Sequence, residues 1–120
     1  MKSATELAND LTAFTGSEHS FRYPLNSAIV YTDGVAYFAE TAGAYWLFDI
    51  ITTQPEILDT MKAGMAVIKL QANDDSTALL TCTDGDYNVT YIRPIDFTDC
   101  PVGTWEFWFT DNTILLPSEY

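Results

Sequence analysis

Hydrophobic and polar positions alternate with two different periods along this chain. Near the start, Ser3 and Glu6 have the form of a capping box, and Leu7, Leu11 and Phe14 follow at helical spacing beside Ala4 and Ala8. This predicts an amphipathic helix over residues 4–14, which Gly16 can stop in the left-handed conformation. Phe21 and Tyr23 then alternate with Ser20 and Arg22 as a short extended segment closed by Pro24. No element is assigned between Pro24 and Thr32. Thr32-Asp33-Gly34 is an N-cap or turn signal, and residues 35–54 are too long and too apolar for one strand. Val35, Phe38, Ala42, Tyr45 or Trp46, and Ile50 keep helical spacing. They predict one broken helix or two short ones, weak at Gly43 and ending near Pro55. Leu58 and Met61 suggest one more turn before Gly64.

After Gly64 the period becomes two. Ala66, Ile68 and Leu70 share one face of a strand over 65–71, and Val67, Lys69 and Gln71 share the other. Asn73 to Ser76 reads as a turn and residues 77–82 as a second strand. Thr83-Asp84-Gly85-Asp86 carries an Asp-Gly hairpin signal, with Tyr87, Val89 and Tyr91 alternating beyond it towards Pro94. Trp105, Phe107 and Phe109 alternate with Glu106, Trp108 and Thr110. Asp111-Asn112 turns the chain into residues 113–116, stopped by Pro117. Helices first and strands second imply an α+β fold. The expected form is an antiparallel meander sheet of 4–5 strands in the C-terminal half, with two or three N-terminal helices packed on one face. At 120 residues the chain reads as a single domain, residues 1–120.

Charge changes what this fold can be expected to meet. Asp and Glu number 17 against 5 Lys and Arg, a net charge of −12. From Asp74 onwards Arg93 is the only basic residue among Asp74, Asp75, Asp84, Asp86, Asp96, Asp99, Glu106, Asp111 and Glu119. Such a field repels nucleic acid and anionic membrane and draws basic protein surfaces. Hydrophobic residues at 48% argue against disorder. The N-terminus lacks the apolar run of a secretory signal, and no stretch reaches the ~20 apolar residues of a membrane span. Cys82 and Cys100 form no C-x-x-C pair and read as free, partly buried thiols in a reducing cytoplasm.

Little in the sequence carries chemistry. His19 is the only histidine, so neither a His-based triad nor a His-rich metal site can be assembled. Asp84-Gly85-Asp86 has oxygen ligands but lacks the EF-hand spacing. Phosphate-loop, dinucleotide and nucleophile-elbow motifs are missing. The expectation is no enzyme, no cofactor and no metal. Tyr45-Trp46-Leu47-Phe48 reads as core packing before it reads as a hot spot. Trp108, opposite Trp105, Phe107 and Phe109, is the aromatic placed to meet a partner or a second copy of the chain. Together with Asp84, Asp86, Asp96, Asp99, Glu106 and Asp111 it forms the candidate partner-binding set. Those carboxylates can imitate phosphates, spaced at about one per 1.7 Å of duplex axis, or can serve solubility alone.

Four segments also carry a resemblance: Leu11-x-x-Phe14-x-Gly16-Ser17-Glu18-His19, Thr32-Asp33-Gly34-Val35-x-Tyr37, Ala44-Tyr45-Trp46-Leu47 and Leu115-Leu116-Pro117-Ser118-Glu119-Tyr120. The chain resembles, over nearly its whole length, a family of small bacterial, phage and mobile-element proteins of unknown function. The Tyr-Trp-Leu and Leu-Pro-Ser-Glu-Tyr pieces are the most specific. The resemblance brings no catalytic residues. It implies an anti-defence inhibitor, of which anti-CRISPR proteins are one kind, acting in the bacterial cytoplasm. The expected partner is the basic surface of a host nucleic-acid-binding complex such as a CRISPR effector, with no direct nucleic-acid contact. The alternative is a homodimeric accessory or scaffold module.

Overall fold

A computed structural model describes residues 3–15, 20–24 and 26–120. The elements run α1 (Ala4–Leu11), β1 (Ser20–Tyr23), β2 (Asn26–Thr32), α2 (Asp33–Ala42), α3 (Tyr45–Thr53), α4 (Pro55–Lys62), β3 (Ala66–Ala72), β4 (Ala78–Thr83), β5 (Val89–Ile95), β6 (Gly103–Thr110) and β7 (Thr113–Leu115). A short 3-10 turn over Pro117–Glu119 ends the chain. The proposed stop at Gly16, and His19, lie outside the described residues.

Local chemistry accounts for the helices. The Glu6 N–H donates to Ser3 Oγ at 3.2 Å, as the capping box requires. Thr32 caps α2 by accepting from the Val35 N–H at 3.4 Å, and Gly43 ends that helix at φ 62°, a left-handed position that disfavours a side chain. Pro55 occupies the first turn of α4, where its missing N–H has no partner to lose. The residue expected to end a helix therefore begins a two-turn one.

The expected meander of 4–5 antiparallel strands is not what forms. The sheet has seven strands in the order β1-β2-β7-β6-β3-β4-β5, and β2 pairs parallel with β7 while the other neighbours are antiparallel. Nor do the helices precede the sheet. α2 to α4 form the crossover between β2 and β3, with an N-terminal hairpin ahead of them. Within the later strands, β6 pairs with β3 and not with its predecessor β5, which breaks the meander. Two features account for the additional strands. Asn26–Thr32 alternates Ile29 and Tyr31 with Ala28 and Val30, a strand pattern that its Asn and Ser start obscures. And β7, only three residues long, sits between β2 and β6 and joins the hairpin to the rest.

All four helices contribute to one core on one face of the sheet. Phe38 of α2 and Phe48 of α3 meet Phe107 of β6 at ring-centroid distances of 4.9 and 5.2 Å. Around them pack Leu7, Ile51, Ile57, Ile68, Leu70, Leu80, Phe109 and Ile114, each essentially without exposure. Tyr45-Trp46-Leu47-Phe48 is mainly core packing, since Leu47 and Phe48 are buried and only Tyr45 is well exposed.

The C-terminal segment closes on the start of α2. Glu119 accepts from the Thr32 hydroxyl at 2.6 Å, the Gly34 N–H at 3.2 Å and the Leu116 N–H at 2.9 Å. A carboxylate here satisfies donors at a helix N-terminus and complements its dipole. Gly34 permits the approach: a Cβ there would lie 2.5 Å from Leu116 Cδ1 and 2.8 Å from Glu119 Oε1. Leu116 is buried, and Glu119 is held by three bonds, so neither can move aside freely. Gly34→Ala is expected to lower stability by about 1–3 kcal/mol through overpacking. Glu119→Ala should cost a similar amount, roughly 1–3 kcal/mol, by stranding buried donors. Urea denaturation of both variants checks this, and wild-type midpoints would rule the contact out as a structural determinant.

Candidate functional site

The helices leave the other face of the sheet uncovered among the described residues. Register places its side chains in rows. One runs Leu115–Trp108–Val67–Thr83, and the next Glu106–Lys69–Thr81–Ile92. A third runs Thr104–Gln71–Leu79–Pro94. Trp108 lies on this face, as its alternation with Trp105, Phe107 and Phe109 predicts. The C-terminal Tyr120 packs edge-on against it at 5.1 Å and is itself 76% exposed.

A cavity of about 340 Å³ opens on this face, lined by Met65, Val67, Lys69, Thr83, Asp84, Gly85, Tyr87, Glu106 and Trp108. Val67 forms its floor, being paired with Trp108 on one side and Thr83 on the other. The Trp108 indole N–H donates to Glu106 Oε2 at 2.8 Å, which fixes the ring and the carboxylate relative to each other. Lys69 Nζ stands 3.9 Å from Glu106 Oε1, a long contact between half-exposed groups that contributes little to stability.

The opposite wall is the β4–β5 hairpin. It forms where the Asp-Gly signal predicts, but as a longer loop with Tyr87 at φ 66° in place of a two-residue turn. Asp84 organises it: its carboxylate accepts from the N–H groups of Asp86 at 2.8 Å and Asn88 at 3.0 Å, and from the Asn88 side chain at 3.1 Å. The hydrogen bonds from Asn88, backbone then side chain, hold the Asp84 carboxyl below its ordinary pKa. Asp84 thus shapes the turn besides lining the cavity. Asp111 also has a structural role. With Asn112 it takes positive φ, 50° and 57°, the geometry of a tight two-residue hairpin turn.

The seven candidate residues do not form one patch. Asp84, Glu106 and Trp108 share the cavity, with Asp86 at the exposed tip beside it. Asp111 lies at the same end of the sheet, in the β6–β7 turn. Asp96 and Asp99 follow β5 at the opposite end, near the Asp74-Asp75 turn, which is tied to their loop by the Thr98 N–H donating to Ser76 O at 2.8 Å. β4 and β5 span six and seven residues, so roughly 20 Å separates the two acidic ends at ~3.3 Å per residue. Sequence reasoning did not mark Lys69 or Tyr87 as site residues. Lys69 was legible as sharing a face with Val67, but Tyr87 reaches the cavity through a loop conformation that alternation does not encode.

The described residues contain no cluster of His, Cys, Asp or Glu that could hold a metal ion. Cys82 and Cys100 are free and buried. Burial is the main cause that pushes both thiols above the usual range. No helix among the described residues is long and apolar enough to cross a membrane.

Residues 5–120 match the model of a family described as Family of unknown function (DUF6876). The chain belongs to this family. No curated protein and no solved structure matches it. Membership agrees with the resemblance to a family of unknown function over nearly the whole chain. Two of the segments that carry the resemblance, Leu-Pro-Ser-Glu-Tyr and Thr-Asp-Gly, meet at Glu119 and Gly34.

Two outcomes follow. Asp84 has a folded pKa below its unfolded one, so its contribution is present above the ordinary carboxylate range and is lost as pH falls through the folded value. The stability difference between wild type and Asp84→Ala should therefore shrink on acidification below about pH 4, as measured by denaturation at a series of pH values. A difference that is constant with pH would show that the charge of Asp84 does not hold the turn. Second, both thiols should react with a thiol reagent at least about 100-fold more slowly in the native protein than in urea, since burial suppresses the thiolate. Equal rates would place the cysteines at the surface.

Proposed function

We propose that this protein is a non-enzymatic inhibitor that binds another protein and masks a basic, phosphate-holding surface of a nucleic-acid-handling complex. An anti-defence role in a bacterial host, as for an anti-CRISPR protein carried by a mobile element, is the setting this reading favours. The single observation that carries it is the sheet face the helices leave uncovered: Trp108 among mixed apolar and polar side chains, with carboxylates at both ends.

Each part has a physical role. Asp84, Asp86 and Asp111 at one end, and Asp96 and Asp99 at the other, attract Lys and Arg at long range and favour rapid encounter. Trp108 and the exposed Tyr120 supply large, rigid contact area that excludes water on docking. Two acidic clusters about 20 Å apart do not imitate the regular charge of a duplex, so the blockade is steric and charge-guided. A homodimer through the same face would juxtapose like charges on two chains of net charge −12, which weakens that alternative.

The test is capture of a partner from host lysate at low and high salt, followed by a nucleic-acid competition assay. The captured complex should lose nucleic-acid binding when this protein is added. Its affinity should fall roughly tenfold or more between 50 and 500 mM salt, because rim charge is screened. Reversing Asp96 and Asp99 to Lys should reproduce that loss at low salt. Salt-independent affinity, or a partner that binds nucleic acid and this protein together, would overturn masking. A mass that doubles with concentration in light scattering would favour the self-associating module.

A further inference from the structure

We infer that the cavity beside Trp108 is a receptor for one arginine side chain of the basic partner. This rests on the protein-binding reading above and specifies its central contact. The cavity is lined by an aromatic ring on β6, Trp108, and by an exposed one on the β4–β5 loop, Tyr87. Its charged groups are the Asp84 and Glu106 carboxylates and one cation, Lys69, with the Thr83 hydroxyl beside them; Asp84 already accepts three hydrogen bonds in its turn, so Glu106 is the principal acceptor. Aromatic faces with carboxylates beside them are what a guanidinium needs: a plane on which to stack and an acceptor for its fork of N–H donors. Trp108 and Glu106 are already oriented by the 2.8 Å hydrogen bond between them. The guanidinium would meet a preformed acceptor.

Lys69 is the resident competitor. Its ammonium sits 3.9 Å from Glu106 and is half exposed, so it can swing to water when a better-matched cation arrives. The apolar floor of Val67 and Met65 accepts the methylene stem of the incoming side chain. A lysine from the partner would fill the same space but would bring a strongly hydrated point charge and no plane to stack. The receptor therefore discriminates between the two bases, which overall negative charge does not.

The experiment uses the full chain with hexa-arginine and hexa-lysine as probes, following indole N–H signals by NMR at low salt. Hexa-arginine should shift the Trp108 indole resonance and leave that of buried Trp105 in place. It should also bind about three- to tenfold tighter than hexa-lysine, the range expected for a desolvated cation–π and bidentate contact. Two variants with the same change in net charge give the sharper test. Lys69→Met should tighten hexa-arginine binding severalfold, whereas Lys62→Met, on the exposed end of α4, should change it less than about twofold. Trp108→Phe should weaken binding by roughly threefold while keeping an aromatic on the sheet. Equal affinity for the two peptides, or equal effects of the two lysine variants, would overturn the arginine receptor and leave charge-guided masking standing. Failure of both peptides to bind at low salt would overturn both readings.

Discussion

Thr113–Leu115 is three residues long, yet β7 alone links the two parts of this sheet among the described residues. β2 reaches it through the parallel pairs Val30–Thr113 and Tyr31–Ile114, and β6 through Trp108–Leu115, Phe109–Ile114 and Thr110–Thr113. On one side lies the β1–β2 hairpin and on the other the four strands β6-β3-β4-β5. So few pairs cannot hold a wide sheet by hydrogen bonding alone, since a net gain of about 1 kcal/mol per bond is typical. The segment is secured twice more, by Ile114 inside the core and by the Glu119 carboxylate on Thr32 and Gly34. The segment Thr113–Glu119 thus fixes the register between an early hairpin and the later strands β6-β3-β4-β5. The same segment lays Tyr120 over Trp108, so the fold's closure also shapes the outer face.

Much of the local structure was legible in the sequence, and the order of strands was not. The helix caps at Ser3 and Thr32, the break at Gly43 and the turn at Asp111-Asn112 follow from single-residue chemistry that neighbours do not alter. The period-two runs of β3, β4 and β6 follow because one face is buried and the other is not. What could not be read is any pairing made at long range. Nothing local says that Thr113–Leu115 pairs with residues 30 and 31 in parallel, and β2 opens with Asn and Ser, which read as a loop. A meander is the simplest arrangement of successive strands, and it would set β6 beside β5; instead β6 crosses back to pair with β3, which brings β7 between β6 and β2.

The candidate site was legible to the same degree and for the same reason. Alternation alone puts Trp108 opposite the core aromatics and pairs its face with Glu106. It cannot say that the acids divide between two ends, because that depends on which turns share an end of the sheet. Nor can it show that Asp84 and Asp111 are needed for turn geometry, one as an acceptor of three hydrogen bonds and the other at positive φ. Composition treated these carboxylates as interchangeable charge. The structure separates those with conformational work from Asp86, Asp96 and Asp99, which are simply exposed.

That separation bears on how so acidic a chain can fold and still bind. Self-repulsion opposes compaction, and it is least where carboxylates sit at opposite ends of a sheet and largest where they cluster. Here roughly 20 Å lies between the ends, and the middle of the exposed face carries one carboxylate, Glu106, with Lys69 beside it. The strip between the ends mixes apolar side chains with Thr and Gln around the Lys69–Glu106 contact and is therefore close to neutral, so a partner can cover it with little uncompensated charge. The ends remain hydrated and act at long range. Dividing long-range attraction from short-range contact lets the same face tolerate a net charge of −12 and keep an aromatic anchor near the Asp84 end.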